Sequence, residues 1–167
     1  MKKYNNFINE YHHEYEKHDY VKYDEILNIF LNKHNLSINL YDDADNLKIY
    51  QGKKEIGLLR YYIENEIVVI ENIELKSEYI GKNIGFVIYE SLYFMAKESD
   101  FGGLYSELST LYGFVRKPAA TKVLFRLINK YGGAIYDESD YIEDDEIHGE
   151  KYSFYIDGRG HIDESKV

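Results

Sequence analysis

A chain of 167 residues, 44% hydrophobic and 16% aromatic, is long enough to bury one core and too short to expect two domains. Its 30 acidic and 20 basic residues leave a net charge of −10, which argues against a general nucleic-acid binder and suits a cationic substrate or a basic partner. The absence of cysteine removes disulfides, thiolate metal sites and cysteine nucleophiles, and with neither a charged-then-apolar leader nor a bilayer-length apolar run the chain reads as cytoplasmic, with no membrane partner.

From Tyr4 to about Asn35 the chain is polar and periodic. Phe7, Tyr11 and Tyr15, then Tyr23, Ile26, Leu27, Phe30 and Leu31, recur at three- and four-residue spacings, which predicts two amphipathic helices. His12, His13, His18 and His34 sit among polar helical residues without a fixed ligand spacing, so no metal is expected. After Asn35 the period shortens. Ser37 to Tyr41 alternates, "DDADN" is a turn signal, Leu47 to Tyr50 is extended and "QGKK" is a second turn. Glu55 to Ile63 and Glu66 to Leu75 read as two longer strands joined at Glu64-Asn65, completing an antiparallel meander.

The stretch "EYIGKNIGFVIYESL", Glu78 to Leu92, places a glycine-punctuated turn at the mouth of an apolar helix. Main-chain N–H groups at such a helix start form an anion site, although a plain strand-to-helix turn has the same composition. Ile84, Val87, Ile88, Leu92 and Met95 trace one stripe, and Phe86, Tyr89, Tyr93 and Phe94 make much of the rest apolar, so a largely buried helix is expected up to about Asp100. Leu104, Ser106 and Leu108 alternate in a short strand, and the only proline, Pro118, suits a first helical position. Ala120, Val123, Leu124, Leu127 and Tyr131 form the next stripe, stopped by Gly132-Gly133. Ala134 to Asp137 and Tyr152 to Ile156 read as final strands around the acidic loop "DESDYIEDDE". The expectation is one α+β domain over residues 1–167, with a helical segment at 1–36 and a core at 46–157.

From residue 46 onward this order of elements resembles the GNAT superfamily of acetyl-CoA-dependent N-acetyltransferases. The resemblance rests on "EIGLLRYYIE", similar to the third strand; "EIVVIENIELKSEYIGKNIG", similar to the fourth strand and pyrophosphate loop; "GLYSELS", similar to the fifth strand; and "KPAATKVLFRLINKYGGAIYDE", similar to the last helix, its stop and the next strand. It implies a largely antiparallel mixed sheet flanked by helices, with acetyl-CoA as cosubstrate. The family's loop pattern, Gln/Arg-x-x-Gly-x-Gly/Ala, falls on Ile80, Gly81, Lys82, Asn83, Ile84 and Gly85, where only the last glycine is in register and Gly81 is extra. Asparagine is the non-glycine residue that best tolerates a left-handed backbone, so the turn can survive Asn83. Amides from Lys82 to Gly85 would hold the pyrophosphate of CoA, with Lys82, Arg116, Lys117, Lys122 and Arg126 as partners for the outer phosphates and Ala119 and Ala120 beside the pantetheine arm.

Acetyl transfer needs a neutral amine, a donor for the developing oxyanion and a proton for the departing thiolate. The similar fold supplies the oxyanion donor from main chain around Ile73 to Leu75. The carboxylates within reach are Glu71, Glu74 and Glu107; Glu71 shares strand parity with Val69 and Ile73 unless a bulge intervenes. The family's thiolate-protonating tyrosine is missing, since the matching turn holds Val123, Leu124 and Phe125, which leaves Tyr112 or Tyr131 as substitutes. The seven carboxylates from Asp137 to Glu146 would border the acceptor pocket and attract a cationic amine, small or on a protein. The N-terminal helices are candidates to cap the sheet, shape the pocket or form a homodimer. Two alternatives stay open: a GNAT-shaped module that binds CoA or a protein without catalysis, and an acidic interaction protein.

Overall fold

The structure is a computed structural model that describes residues 17–39, 46–107, 116–138 and 152–158, with residues 17–20 as backbone only. The Tyr4 to Tyr15 part of the expected helices lies outside these residues. Helix α1 (Lys17–Asn32) follows the predicted spacing, with Leu27 and Leu31 buried and Tyr23 and Ile26 partly so. Strand β1 (Leu36–Ile38) is tied to it by Asn28, whose side-chain amide donates to the Ile38 carbonyl and accepts from the Ile38 N–H at 3.2 and 2.8 Å. β2 (Leu47–Gln51), β3 (Lys54–Glu64) and β4 (Ile67–Leu75) complete the meander. The β3–β4 turn is Asn65-Glu66, one residue later than the spacing suggests. Both residues have positive φ, 49° and 60°, a turn whose twist matches that of the flanking strands.

A single 3₁₀ turn (Ser77–Tyr79) leads into α2 (Ile84–Glu98), followed by β5 (Gly103–Ser106), α3 (Pro118–Tyr131, with proline at its first position), β6 (Gly133–Asp137) and β7 (Tyr152–Ile156). The seven strands form one sheet in the order β1-β2-β3-β4-β5-β7-β6. Only β4 and β5 run parallel, and α2 is the crossover between them. The expected α+β class, a largely antiparallel mixed sheet with flanking helices, is therefore found. No helix among the described residues is long and apolar enough to cross a membrane.

One hydrophobic cluster joins the sheet to all three helices. It contains Leu59, Tyr61, Val68, Ile70, Leu104, Phe154 and Ile156 from strands and Leu31, Ile88, Leu92, Met95, Leu124 and Leu127 from helices. Strand alternation puts a second row, Tyr62, Val69, Tyr105 and Tyr155, side by side across β3, β4, β5 and β7.

Two departures from a regular sheet position the site. β5 accompanies β4 only from Ile67 to Ile70, while β4 runs on to Leu75 beside β3. Among the described residues, no strand pairs with the β5-facing edge of β4 over its last five residues. The β3–β4 register also slips: Tyr61 pairs with Ile70 but Arg60 with Asn72, so Glu71 is the extra residue of a bulge.

Candidate active site

The turn after β4 keeps the shape its glycines and asparagine suggest. Gly81 has φ of +80° and Asn83, at the N-cap of α2, has φ 64° and ψ 5°, a left-handed conformation. Ile84 is buried and anchors the first helical turn, while Ile80 is exposed. The main-chain hydrogen bonds of this corner run from Ile80 to Ser77 and from Val87 to Asn83; among the described residues no amide from Gly81 to Phe86 donates to another main-chain group. A Cβ placed on Gly81 or Gly85 would meet nothing within 4 Å. The corner thus offers a run of unengaged N–H groups at a helix start, with open space in front of them.

That space belongs to a cleft of about 370 Å³. β4 lines it with Ile73, Glu74 and Leu75, the turn and α2 with Ile80, Gly81, Asn83, Gly85, Phe86 and Tyr89, and α3 with Lys117, Ala119, Ala120, Val123 and Arg126. Arg126 is fixed in place: Nη1 donates to the Asn83 side-chain oxygen at 2.9 Å and the guanidinium lies 4.1 Å above the Phe86 ring. Lys117 is exposed at the N-terminus of α3. The cleft therefore brings together Ile73, Leu75, Gly81, Asn83, Gly85 and Lys117 of the residues singled out for the cofactor, and Glu74 with them. Lys82 stands instead over the Tyr79 ring, with Nζ 5.5 Å from its centre, Ile84 packs in the core, and Lys122 is exposed on α3.

At the inner end of the cleft, where β5 leaves β4, a smaller cavity is lined by Ile70 to Ile73, Ser106, Glu107 and Arg116. Ile73, Tyr89, Lys117 and Ala120 line both spaces and mark their junction. Arg116 is buried and knits this junction together. Its Nε donates to Thr121 Oγ1 at 2.9 Å, Nη1 reaches the carbonyls of Ser106 and Glu107 at 3.3 and 3.2 Å, Nη2 donates to the Tyr152 carbonyl, and the guanidinium stacks 4.8 Å from Phe154. It is thus a strut between β5, α3 and β7 and not a mobile phosphate partner.

The carboxylates separate by environment. Glu71, on the bulge, is buried with Oε2 2.8 Å from Arg60 Nε. Glu74 is exposed on the cleft rim. Glu107 is half-buried at the end of β5, and burial first, then the charges of Glu64, Glu138 and Glu71, push its carboxyl above the usual range. The Tyr62 hydroxyl is raised as well, by burial and then by the charges of Glu107, Glu64 and Glu71. Tyr112 and residues 139–146 of the acidic loop lie outside the described residues. Tyr131 donates its hydroxyl to Glu90, whose partner is also Lys130.

Sequence reasoning passed over Phe86 and Tyr89 as cleft residues. A signal exists, because three-residue spacing puts both on the face that follows the open Gly85, but their apolar character reads equally as core. No family model matches the chain, and no curated protein matches it by sequence. Among solved structures, it is similar to the ribosomal-protein-S18-alanine N-acetyltransferase of Escherichia coli, with 16% identity, a TM-score of 0.45 and coverage of 66% of this chain and 68% of that one. It is similar to a putative streptothricin acetyltransferase of Bacillus anthracis in complex with acetyl coenzyme A, with 16% identity, a TM-score of 0.43 and 68% of this chain against 63% of that one, under two thirds of its length. A GNAT-family acetyltransferase of Staphylococcus aureus is matched over 81% of this chain and 94% of its own, with 12% identity and a TM-score of 0.42.

Proposed function

We propose that the chain is an acetyl-CoA-dependent N-acetyltransferase of the GNAT kind, moving an acetyl group to a primary amine of a cationic small molecule or protein. The observation that carries this reading is the run of unengaged amides from Gly81 to Phe86, facing open space beside Gly85 and flanked by Lys117 and Arg126. A diphosphate is the ligand such a corner suits, since it fills the oxygen-acceptor role of several N–H groups at once and is attracted by a helix N-terminus. Bound acetyl-CoA supplies a thioester as the acyl donor. The residues of this chain that would hold it are Gly81 to Phe86 at the diphosphate, Lys117 and Arg126 at the outer phosphates, and Ile73, Ala120 and Val123 along the arm.

The acceptor side fits an ammonium. Tyr62 and Tyr105 share one row of the sheet, and Glu64, Glu71, Glu107 and Glu138 are close enough to one another's partners to alter their ionisation. Such a lining concentrates a cation and draws its proton toward a carboxylate. Glu107 is the base that this environment favours, because a carboxyl with a raised pKa accepts a proton from an amine with less mismatch.

Acetyl-CoA at a hundredfold excess over Kd should stabilise the protein by about 2.7 kcal/mol and raise its Tm by about 5–10 °C. Free-thiol release across a panel of amines then reads out transfer. A Tm shift without thiol release supports a CoA-binding module, and no shift at all overturns the reading.

A further inference from the structure

Asn83 occupies the N-cap of α2, where an asparagine side chain ordinarily accepts from the second or third amide of the helix, here Gly85 or Phe86. It makes no such bond. Its left-handed backbone, φ 64° and ψ 5°, differs from the extended conformation that capping requires, and its side-chain oxygen accepts instead from Arg126 Nη1 at 2.9 Å. Arg126 reaches across from α3, 43 residues along the chain, and its guanidinium rests 4.1 Å above the Phe86 ring. The Asn83 carbonyl meanwhile accepts from the Val87 N–H at 3.2 Å, so the helix start keeps its first main-chain bond. Among the described residues the Gly85 and Phe86 amides stay unengaged, and both residues line the cleft.

We propose that Arg126 is a positioning residue that keeps this corner from capping itself, an inference that rests on the acetyl-transfer reading. Two acceptors compete for the same N–H groups: the Asn83 side-chain oxygen and the oxygens of an incoming diphosphate. The helix start is therefore a two-state element. In one state Asn83 is left-handed, its side chain lies with Arg126 and the amides face open space. In the other its backbone is extended and its side chain covers them. Arg126 engages only the first state, so it biases the equilibrium toward the form that accepts the ligand. A glycine at this place needs no such guard, since it has no side-chain oxygen and reaches a left-handed conformation freely. Asparagine tolerates the same backbone but brings a competitor with it. Any direct contact of Arg126 with an outer phosphate adds to this effect and does not depend on which residue stands at position 83.

The test uses the full chain, with Arg126→Met to keep an aliphatic stem over Phe86 and Arg126→Ala as a second variant. Arg126 is exposed, so neither disturbs the core. Either substitution should weaken acetyl-CoA binding, measured by calorimetry, by about tenfold, the size of an N-cap bond. In an Asn83→Gly background the same substitution should cost less than about threefold. Without ligand, hydrogen exchange at the Gly85 and Phe86 amides should slow by about tenfold in the Arg126 variants and return to the wild-type rate when Asn83→Gly is added. Equal losses of affinity in both backgrounds make Arg126 a plain phosphate contact and overturn the inference, as does exchange at the two amides that Arg126 substitution leaves unaltered. A wild type that binds no acetyl-CoA overturns the acetyl-transfer reading, and the exchange comparison then decides the positioning of Asn83 by itself.

Discussion

Gly85 and Gly81 look alike in the sequence and do different work. At Gly85 φ is not positive and a Cβ meets nothing, so a side chain there is tolerated by the fold and projects into the cleft. Gly85→Ala should raise the stability of the free protein by about 0.5–1 kcal/mol, because it lowers the entropy of the unfolded chain within a helix. Gly85→Leu should keep the free Tm but lose the acetyl-CoA-induced shift, a pairing that calorimetry with and without ligand checks directly. At Gly81, with φ of +80°, any side chain is strained by roughly 1 kcal/mol. The acids separate in the same way. Glu107→Gln should lower kcat by about 10²-fold. In the wild type, a pH–rate profile should rise through a step above ordinary glutamate, since a raised carboxyl must lose its proton before it accepts one. The glycines, Asn83 and Lys117 were legible because backbone freedom and charge belong to the residue itself. The environment of Glu107 was not, because it depends on which neighbours the fold brings to it.

Element boundaries followed from periodicity to within a residue or two, and the long-range couplings did not. The α2 and α3 stripes, the proline start and the glycine stop can all be read from spacing. The bulge at Glu71 cannot, since alternation carries no mark of where one strand gains a residue on its neighbour. The docking of α1 on β3 is a second hidden coupling. Buried Asp24 accepts a hydrogen bond from the Tyr61 hydroxyl, and burial, against that hydrogen bond, raises its carboxyl from 3.8 to about 6. A carboxyl raised in the folded state contributes stability that is full below about pH 3.8 and lost as pH rises through about 6. Relative to Asp24→Asn, the wild type should therefore lose about 3 kcal/mol across that window, measured by urea unfolding at pH 4 and pH 7. Equal pH dependence in the two proteins would place the Asp24 carboxyl in water.

On the scale of the whole molecule, one sheet carries two opposed electrostatic environments. The corner of α2 and the start of α3 present amides, Lys117 and Arg126, whereas the region around Tyr62 gathers Glu64, Glu71 and Glu107. The gap left where β5 departs from β4 joins them at Tyr89. A net charge of −10 therefore does not bar a polyanionic ligand, because the amides, Lys117 and Arg126 at this corner are a local exception to the global field. The order of strands and helices, and with it the place of that corner, was legible from the sequence alone. Its openness was not, because pattern does not tell whether amides are already paired. The most direct test is a titration of ¹⁵N-labelled protein with acetyl-CoA, followed by amide NMR. The amide resonances of Lys82 to Phe86 are predicted to move together and saturate with the ligand. Resonances that stay in place at saturating acetyl-CoA would contradict the account.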